Sequence, residues 1–462
     1  MNLTITLIFG YIGLQLIFAW WAARRVQDEV DYLLAGRKLG PWLATFTVFA
    51  TWFGAETCVG ATGQAFQFGL SGVRSDPFGY AFAIMIVGLF FALPLWKRGI
   101  VTLADLFRER YGSGVERLVA ILMIPTSLLW AAAQIRAFGQ VLAVSSELSV
   151  VVAITFAAAV VIAYTASGGM WADAMTDLVQ GLVMVFGIAL VFGLVMFADG
   201  GIEKVAGLPP LHEQFFPRDR HWLDTLETFA IPICGTIVAQ ELIARVLATR
   251  SPSLARRATV AGGLMYLAVG LMPVTLGLIA VHYVGALEHP EQVLLSIAQR
   301  ELPGAFYVIF VGALVSAILS TVDSTLLVAG SLAAHNLLIP LKPTLSQSAR
   351  VKINRIAVVC FGLIAYGLAL ASDNVYELVV ESSSFGSAGI LVTMLFALQG
   401  TRVGGPVAAY ATLTTGLLVH VYAAHIAALD YPYLTSLASA LAIYLLMSLV
   451  SRPAPVTQES VA

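Results

Sequence analysis

Thirteen stretches of roughly 20 mostly apolar residues follow one another along the chain, near positions 2–22, 42–66, 77–96, 117–143, 148–166, 176–198, 224–246, 259–284, 305–334, 354–371, 375–398, 404–427 and 431–451. A run of that length lets a helix cross a hydrocarbon layer about 30 Å thick, where backbone groups find no water and must pair within their own segment. The fold class this predicts is an all-α membrane protein of about 13 transmembrane helices. Barrel strands would instead leave short segments of alternating polarity. Composition agrees, with 59% of the 462 residues hydrophobic and 11% charged.

Net charge is −2, so nothing invites nucleic acid, and charge informs only through its position. With the N-terminus outside, the inner segments hold 19 lysines and arginines, from Arg24 and Arg25 to Arg402 and Arg452, against five in the outer segments. That excess predicts a multi-pass protein of the cell (inner) membrane with its C-terminus in the cytoplasm. The first run ends in Trp20-Trp21 and Arg24-Arg25, the reverse of a cleaved leader, and reads as a retained helix. Cys58, Cys234 and Cys360 fall inside spans without a CxxC pair and read as small apolar fillers.

Two spans are interrupted. Gly54 and Gly60 flank Glu56 in the second, and Pro232 and Gly235 lie midway along the seventh. Broken helices at matching places point to a carrier built from two repeats, here residues 42–198 and 224–398, with one helix before them and two after, over 404–451. No appended output domain or enzymatic unit is expected, and no grouping of His, Cys and Asp supplies a nucleophile with its base.

The ninth span carries Ser316-Ala317-Ile318-Leu319-Ser320-Thr321-Val322-Asp323-Ser324-Thr325, hydroxyls and an acid where each unpaired polar group costs several kcal/mol, roughly. Ala317, Ser320 and Thr321 stand at i, i+3 and i+4 and share a face. A carbonyl and two hydroxyls there offer three hard oxygens, and sodium wants about five. Carbonyls freed where span 2 unwinds would supply the rest. The alternative is that the hydroxyls satisfy themselves on carbonyls four residues back. Between spans 5 and 6, Ser167-Gly168-Gly169-Met170-Trp171-Ala172-Asp173-Ala174-Met175-Thr176-Asp177-Leu178-Val179-Gln180 places Thr176, Asp177 and Gln180 at the start of a helix, where an acid could equally serve as a cap.

These two motifs resemble the sodium/solute symporter family, whose GG…TD..Q signature and sodium-site helix they match. Ala50-Thr51-Trp52, Gly79-Tyr80, Gly88-Leu89-Phe90-Phe91-Ala92 and Trp130-Ala131-Ala132-Ala133 are nearest to its choline transporter branch, over about residues 36–400. The resemblance implies a LeuT-like 5+5 inverted repeat and a sodium site on Ala50, Phe53, Ala317, Ser320 and Thr321, with Asp177 where some members bind a further sodium. It also implies cage-type aromatic positions at Trp52, Tyr80 and Trp130, and a solute contact at Gln240, although Ala239 replaces the tryptophan expected before that glutamine.

Arg136, deep in span 4, needs an acid or a solute carboxylate, and Glu56 is the expected partner. Asp323 and Glu381 are candidate gating acids, and Glu227, near a span end, is expected to be wet. The function expected is sodium-coupled symport of a small organic solute into the cell by alternating access, the solute an amine or a zwitterion such as an amino acid or a choline-like compound. The alternatives are a proton-coupled carrier for a small carboxylate and a non-transporting solute sensor. The expected partners are the solute and the lipid bilayer, with no obligate protein partner.

Overall fold

The computed structural model describes residues 3–145, 148–198, 200–216, 221–285, 290–372, 375–399 and 403–450. The chain opens with α1 (Leu3–Ala23), the short α2 (Glu29–Leu34) and α3 (Pro41–Trp52). A wide turn at Glu56–Gly60 leads to α4 (Ala61–Phe68), then come α5 (Tyr80–Ile86), α6 (Ala92–Lys97) and α7 (Leu103–Tyr111). Next are the long α8 (Ser113–Ser145) and α9 (Val150–Ala198), the short α10 (Gly201–Ala206) and α11 (Leu211–Phe215), and the pair α12 (Trp222–Ile237) and α13 (Gln240–Ala248). The remainder is α14 (Pro252–Ile279), α15 (Val281–Val284), α16 (Val293–Glu301), α17 (Gly304–Ser331), α18 (Gln347–Ala371), α19 (Val375–Ser384), α20 (Ser387–Leu398), α21 (Pro406–Val421) and α22 (Pro432–Val450). Among the described residues there is no strand, only an isolated bridge between Leu39 and Thr249.

By length and apolar character, nine of these helical segments can cross a membrane, or ten if the bent α12–α13 pair is one span. That differs from thirteen for a physical reason. Val150–Phe197 runs for 48 residues and Glu56–Lys97 for 42, each about twice what one crossing needs. α9 therefore contains two expected spans, which change direction at Gly169. Its φ of +58° suits glycine, and a β-carbon there would stand 2.6 Å from the Tyr32 carbonyl oxygen.

The breaks also differ in detail. α3 ends at Trp52, and Phe53, at φ −83° and ψ 77°, leaves the helix, as Gly54 and Gly60 suggested. In the seventh span Pro232 and Gly235 stay inside α12, and the chain bends by 44° later, across Val238 and Ala239. Gly235 instead lets the backbone of α19 pack closely at Ser383. α17 occupies the centre, packed along α9 and α8. Every residue from Ala313 to Ser331 is buried, so its polar side chains must find partners inside the protein. α1 is fastened to it by the Tyr11 hydroxyl, 2.5 Å from Ser316 Oγ.

Candidate sodium and solute sites

The break after α3 faces the middle of α17. Ser320 Oγ donates to the Ala50 carbonyl at 2.6 Å and lies 3.3 Å from the Ala317 carbonyl; Thr321 Oγ1 is 3.2 Å from Ala317 O and 3.3 Å from Ala50 O. Four of the five expected ligands thus converge, Ala50 from α3 and Ala317, Ser320 and Thr321 from α17. Phe53 is fully buried at the helix end, where its carbonyl is released from the regular ladder. A β-carbon on Gly54 would stand 2.8 Å from Thr321 Oγ1, so only glycine allows this approach. The hydroxyls donate partly back to Ala317 and partly across to Ala50. A cation taking their lone pairs would turn these protons away and join α3 to α17 with neutral hard oxygens.

One turn further along α17 lies an acid cluster. Oxygens of Asp173, Asp177 and Asp323, all buried, fall within 4.8 Å of one another. Arg245 Nη2 contacts both Asp173 Oδ2 and Ser324 Oγ. Thr47 Oγ1 donates to Asp177 Oδ2 at 2.5 Å, and Ser324 Oγ, 3.1 Å from Asp173 Oδ1, reaches the Ser320 carbonyl at 2.8 Å. The two sites are therefore joined through Ser320 and Ser324. Asp177 Oδ1, Asp323 Oδ2 and both amide atoms of Gln180 are buried without a partner. Three carboxyls against one guanidinium give this cluster capacity for a cation or a proton. Asp177 does not open a helix, because α9 already resumes after Gly169, and its carboxyl faces inward rather than capping a terminus.

The expected solute residues lie on the far side of Gly54. Glu56 is 1% exposed; Trp130 Nε1 donates to its Oε1 at 3.2 Å and Gln134 Nε2 to its Oε2 at 2.5 Å. Ala55 N–H donates to Gln134 Oε1 at 3.0 Å, which fixes how the amide faces. Trp52 packs edge-on against Trp130 with centroids 4.9 Å apart. Tyr80 OH is 2.9 Å from Ser383 Oγ on α19. Gln240 lines a cavity of about 20 Å³ with Ser127, Gly235, Ala239, Glu241 and Ser383, but its Oε1 accepts from Leu103 N–H at 2.6 Å.

A family model described as "Sodium:solute symporter family" matches residues 32–415. The chain belongs to the sodium:solute symporter family. It is 28% identical over 457 residues to the human high affinity choline transporter 1, covering 90% of this chain and 76% of that one. To the Caenorhabditis elegans high-affinity choline transporter 1 it is 26% identical over 405 residues, 81% and 69% of the two chains. The symporter spans 63–76% of the length of three such choline transporters. A sodium-coupled sialic acid symporter in a substrate-bound outward-open state shares its fold, with a TM-score of 0.86, 18% identity and 98% and 99% of the chains covered. The protein is thus a multi-pass membrane transporter with sodium as its coupling ion and a small solute as cargo, and not an enzyme.

Several expected positions in the symporter need correction. Glu56 does not pair with Arg136, whose Nη1 reaches the Ala369 carbonyl at 3.1 Å. Trp130 and Gln134, four residues apart, share a helix face, whereas Arg136 is two residues beyond and faces elsewhere. It lines a cavity of about 440 Å³ with Val59, Gln140, Glu291 and Leu295. Glu227 is not wet: 8% exposed, it accepts from Tyr433 and Leu434 N–H at 2.7 and 2.8 Å and so caps α22. Glu381 is half-exposed and 3.4 Å from His425 Nε2. Asp173, Arg245, Gln134 and Glu241 are site residues that the sequence does not single out.

An ionic knot ties α2, α7, the segment Leu332–Leu338 that continues α17, and α18 together. His335 Nδ1 lies 2.8 Å from Glu29 Oε1 and its Nε2 3.5 Å from Asp105 Oδ2, while Arg350 Nη1 reaches Glu29 Oε2 at 3.2 Å. Burial alone would raise the Asp105 carboxyl, but the hydrogen bond and charge of His335, the Thr102 N–H and Arg108 outweigh it and hold the carboxyl at about 2. An unfolded aspartate titrates near 3.9, roughly, so this contribution is complete above about pH 4 and is lost as pH falls towards 2. Asp105→Asn is expected to lower stability by about 2 kcal/mol at neutral pH, with the gap to wild type narrowing below pH 4. Thermal unfolding of the purified protein across pH checks both.

Proposed function

We propose that the symporter carries an amine-bearing organic solute into the cell, with sodium bound by Ala50, Phe53, Ala317, Ser320 and Thr321. The single observation behind the ion site is the convergence of carbonyl and hydroxyl oxygens from α3 and α17 at 2.6–3.3 Å. Asp177, with one carboxylate oxygen unpartnered and buried, is the candidate for a second sodium, beside Asp323. Trp52, Glu56, Tyr80 and Trp130 form the solute side, and Arg136 belongs to its outer approach, along the larger cavity. The broken elements α3 and α12–α13 head the two repeats, residues 42–198 and 224–398, followed by two helices over 404–451. The N-terminus is outside and the C-terminus cytoplasmic, an orientation supported by the lysine and arginine asymmetry.

Sodium bound between α3 and α17 holds the break in the shape that completes the solute site. An ion favouring that state shifts the population by its differential affinity and no more. Inward opening would part the two helices and release the ion, aided by about 2.3 kcal/mol per charge per 100 mV of membrane potential. Proton coupling is the second reading, favoured by the three clustered carboxyls. Uptake of labelled amine into proteoliposomes tests the proposal: saturable accumulation with an inward sodium gradient supports it, and accumulation that follows a proton gradient alone, unchanged without sodium, overturns it.

A further inference from the structure

We propose that the solute is a short aliphatic diamine, with one ammonium group on Glu56 and the other on Glu241. This rests on the reading of the chain as a carrier of amines, and narrows it. Each broken element carries a buried acid at its break: Glu56 begins the wide turn after α3, and Glu241 is the second residue of α13. Both are 1% exposed. α8 holds both. Ser127 Oγ donates to Glu241 Oε1 at 2.6 Å, and Trp130 and Gln134 donate to the two oxygens of Glu56. Ser127, Trp130 and Gln134 stand at i, i+3 and i+7, one face of a helix over about 10 Å of its length.

All three partners are neutral donors, a set that suits ionised carboxylates. Neither glutamate joins an ion pair among the described residues. Arg245, one turn from Glu241, reaches only its backbone carbonyl and is otherwise committed to Asp173 and Ser324. A buried carboxyl outside any ion pair is costly to ionise, and a cation beside each of these two would offset that cost. Sodium on α17 is close to Glu56 alone, because Gly54 is flanked by both Glu56 Oε2 and Thr321 Oγ1. Glu241 needs a different cation.

Independent features point to a ligand at that second acid. The cavity of about 20 Å³ beside Glu241 has room for about one water, which is also the size of an ammonium head. Next in the chain to Gly235, which lines that cavity, Thr236 is 2% exposed and its hydroxyl has no partner. The Trp52–Trp130 pair adds an aromatic surface beside Glu56, suited to alkyl carbon or a cation face. A quaternary ammonium has no N–H to give either carboxylate. A zwitterion would bring a third carboxylate beside Glu56 and Glu241.

The test is sodium-driven uptake of labelled diaminobutane into proteoliposomes, with butylamine, choline and glycine as competitors. Diaminobutane should compete at least about tenfold better than butylamine. Glu241→Gln should bring the diamine down to the level of butylamine, and Glu56→Gln should weaken both. Retained sodium-dependent thermal stabilisation of each variant would show that the fold is intact. Choline or glycine competing as well as the diamine, or a diamine-to-monoamine ratio unmoved by Glu241→Gln, would overturn the diamine while leaving sodium-coupled amine carriage standing. Absence of sodium-driven uptake for every solute would overturn both.

Discussion

Ser320→Ala and Thr321→Ala are each expected to raise the sodium concentration for half-maximal uptake by about tenfold or more, and the double variant further. Each hydroxyl lies within 3.3 Å of carbonyls from both α3 and α17. Removing one takes away a hard ligand and leaves the Ala50 carbonyl short of a partner, a loss of about 1–3 kcal/mol. The effect should fall on sodium activation more than on maximal rate measured at saturating sodium. The readout is initial uptake against sodium concentration. Unchanged activation in both single variants would remove these hydroxyls from the ion site. The alternative, in which they only satisfy their own helix, predicts a modest stability change and no change in sodium dependence.

Arg245→Met is expected to destabilise the protein by about 3–5 kcal/mol, because it leaves buried carboxylates without their guanidinium. Asp173 loses an ion pair and Ser324 a donor, while Asp177 and Asp323 remain close by. Asp173→Asn together with Arg245→Met should recover much of that loss, since the charge and its partner go together. Thermal unfolding of the three proteins measures it. Full stability in Arg245→Met with transport abolished would instead assign the arginine to the transport cycle. The cluster touches the sodium-site helix through Ser324 and the Ser320 carbonyl, so a partly recovered double variant should also show altered sodium activation.

What could be read from the chain follows from how local each signal is. Apolar runs announce spans because lipid imposes one rule on every residue of a segment. Ala317, Ser320 and Thr321 were readable because their i, i+3, i+4 spacing makes a face by itself, and the structure brings Ala50 across to them. Asp173 and Arg245 were not, being 72 residues apart, and Arg245 had the ordinary look of a basic residue at an inner span end. Its neighbours Leu242, Ile243, Val246 and Leu247, all 0% exposed, are the signal that could have marked it as buried. The Glu56–Arg136 pairing failed on helix geometry, because residues 134 and 136 cannot share a face. The break of the seventh span came later than Pro232 and Gly235 suggested. A proline inside a membrane helix can be accommodated where neighbouring helices satisfy the freed backbone, and Gly235 serves close packing on α19 instead.

The ionic network around His335 shows the same limit. Glu29, Asp105, His335 and Arg350 come from four separate elements, and no spacing along the chain relates them. Their positions explain how a short helix outside the spans, α2, is held against the end of α17. Glu227 is similar: its role as cap for α22 depends on a segment about two hundred residues away.

The measurement that bears most directly on the account is solute accumulation in proteoliposomes under separately imposed ion gradients, with wild type and the Ser320→Ala/Thr321→Ala variant side by side. An inward sodium gradient alone should drive wild-type accumulation, potassium in place of sodium should abolish it, and the variant should require far more sodium. Accumulation that persists undiminished without sodium, or that is equal in the two proteins at every sodium concentration, would contradict a sodium ion bound between α3 and α17.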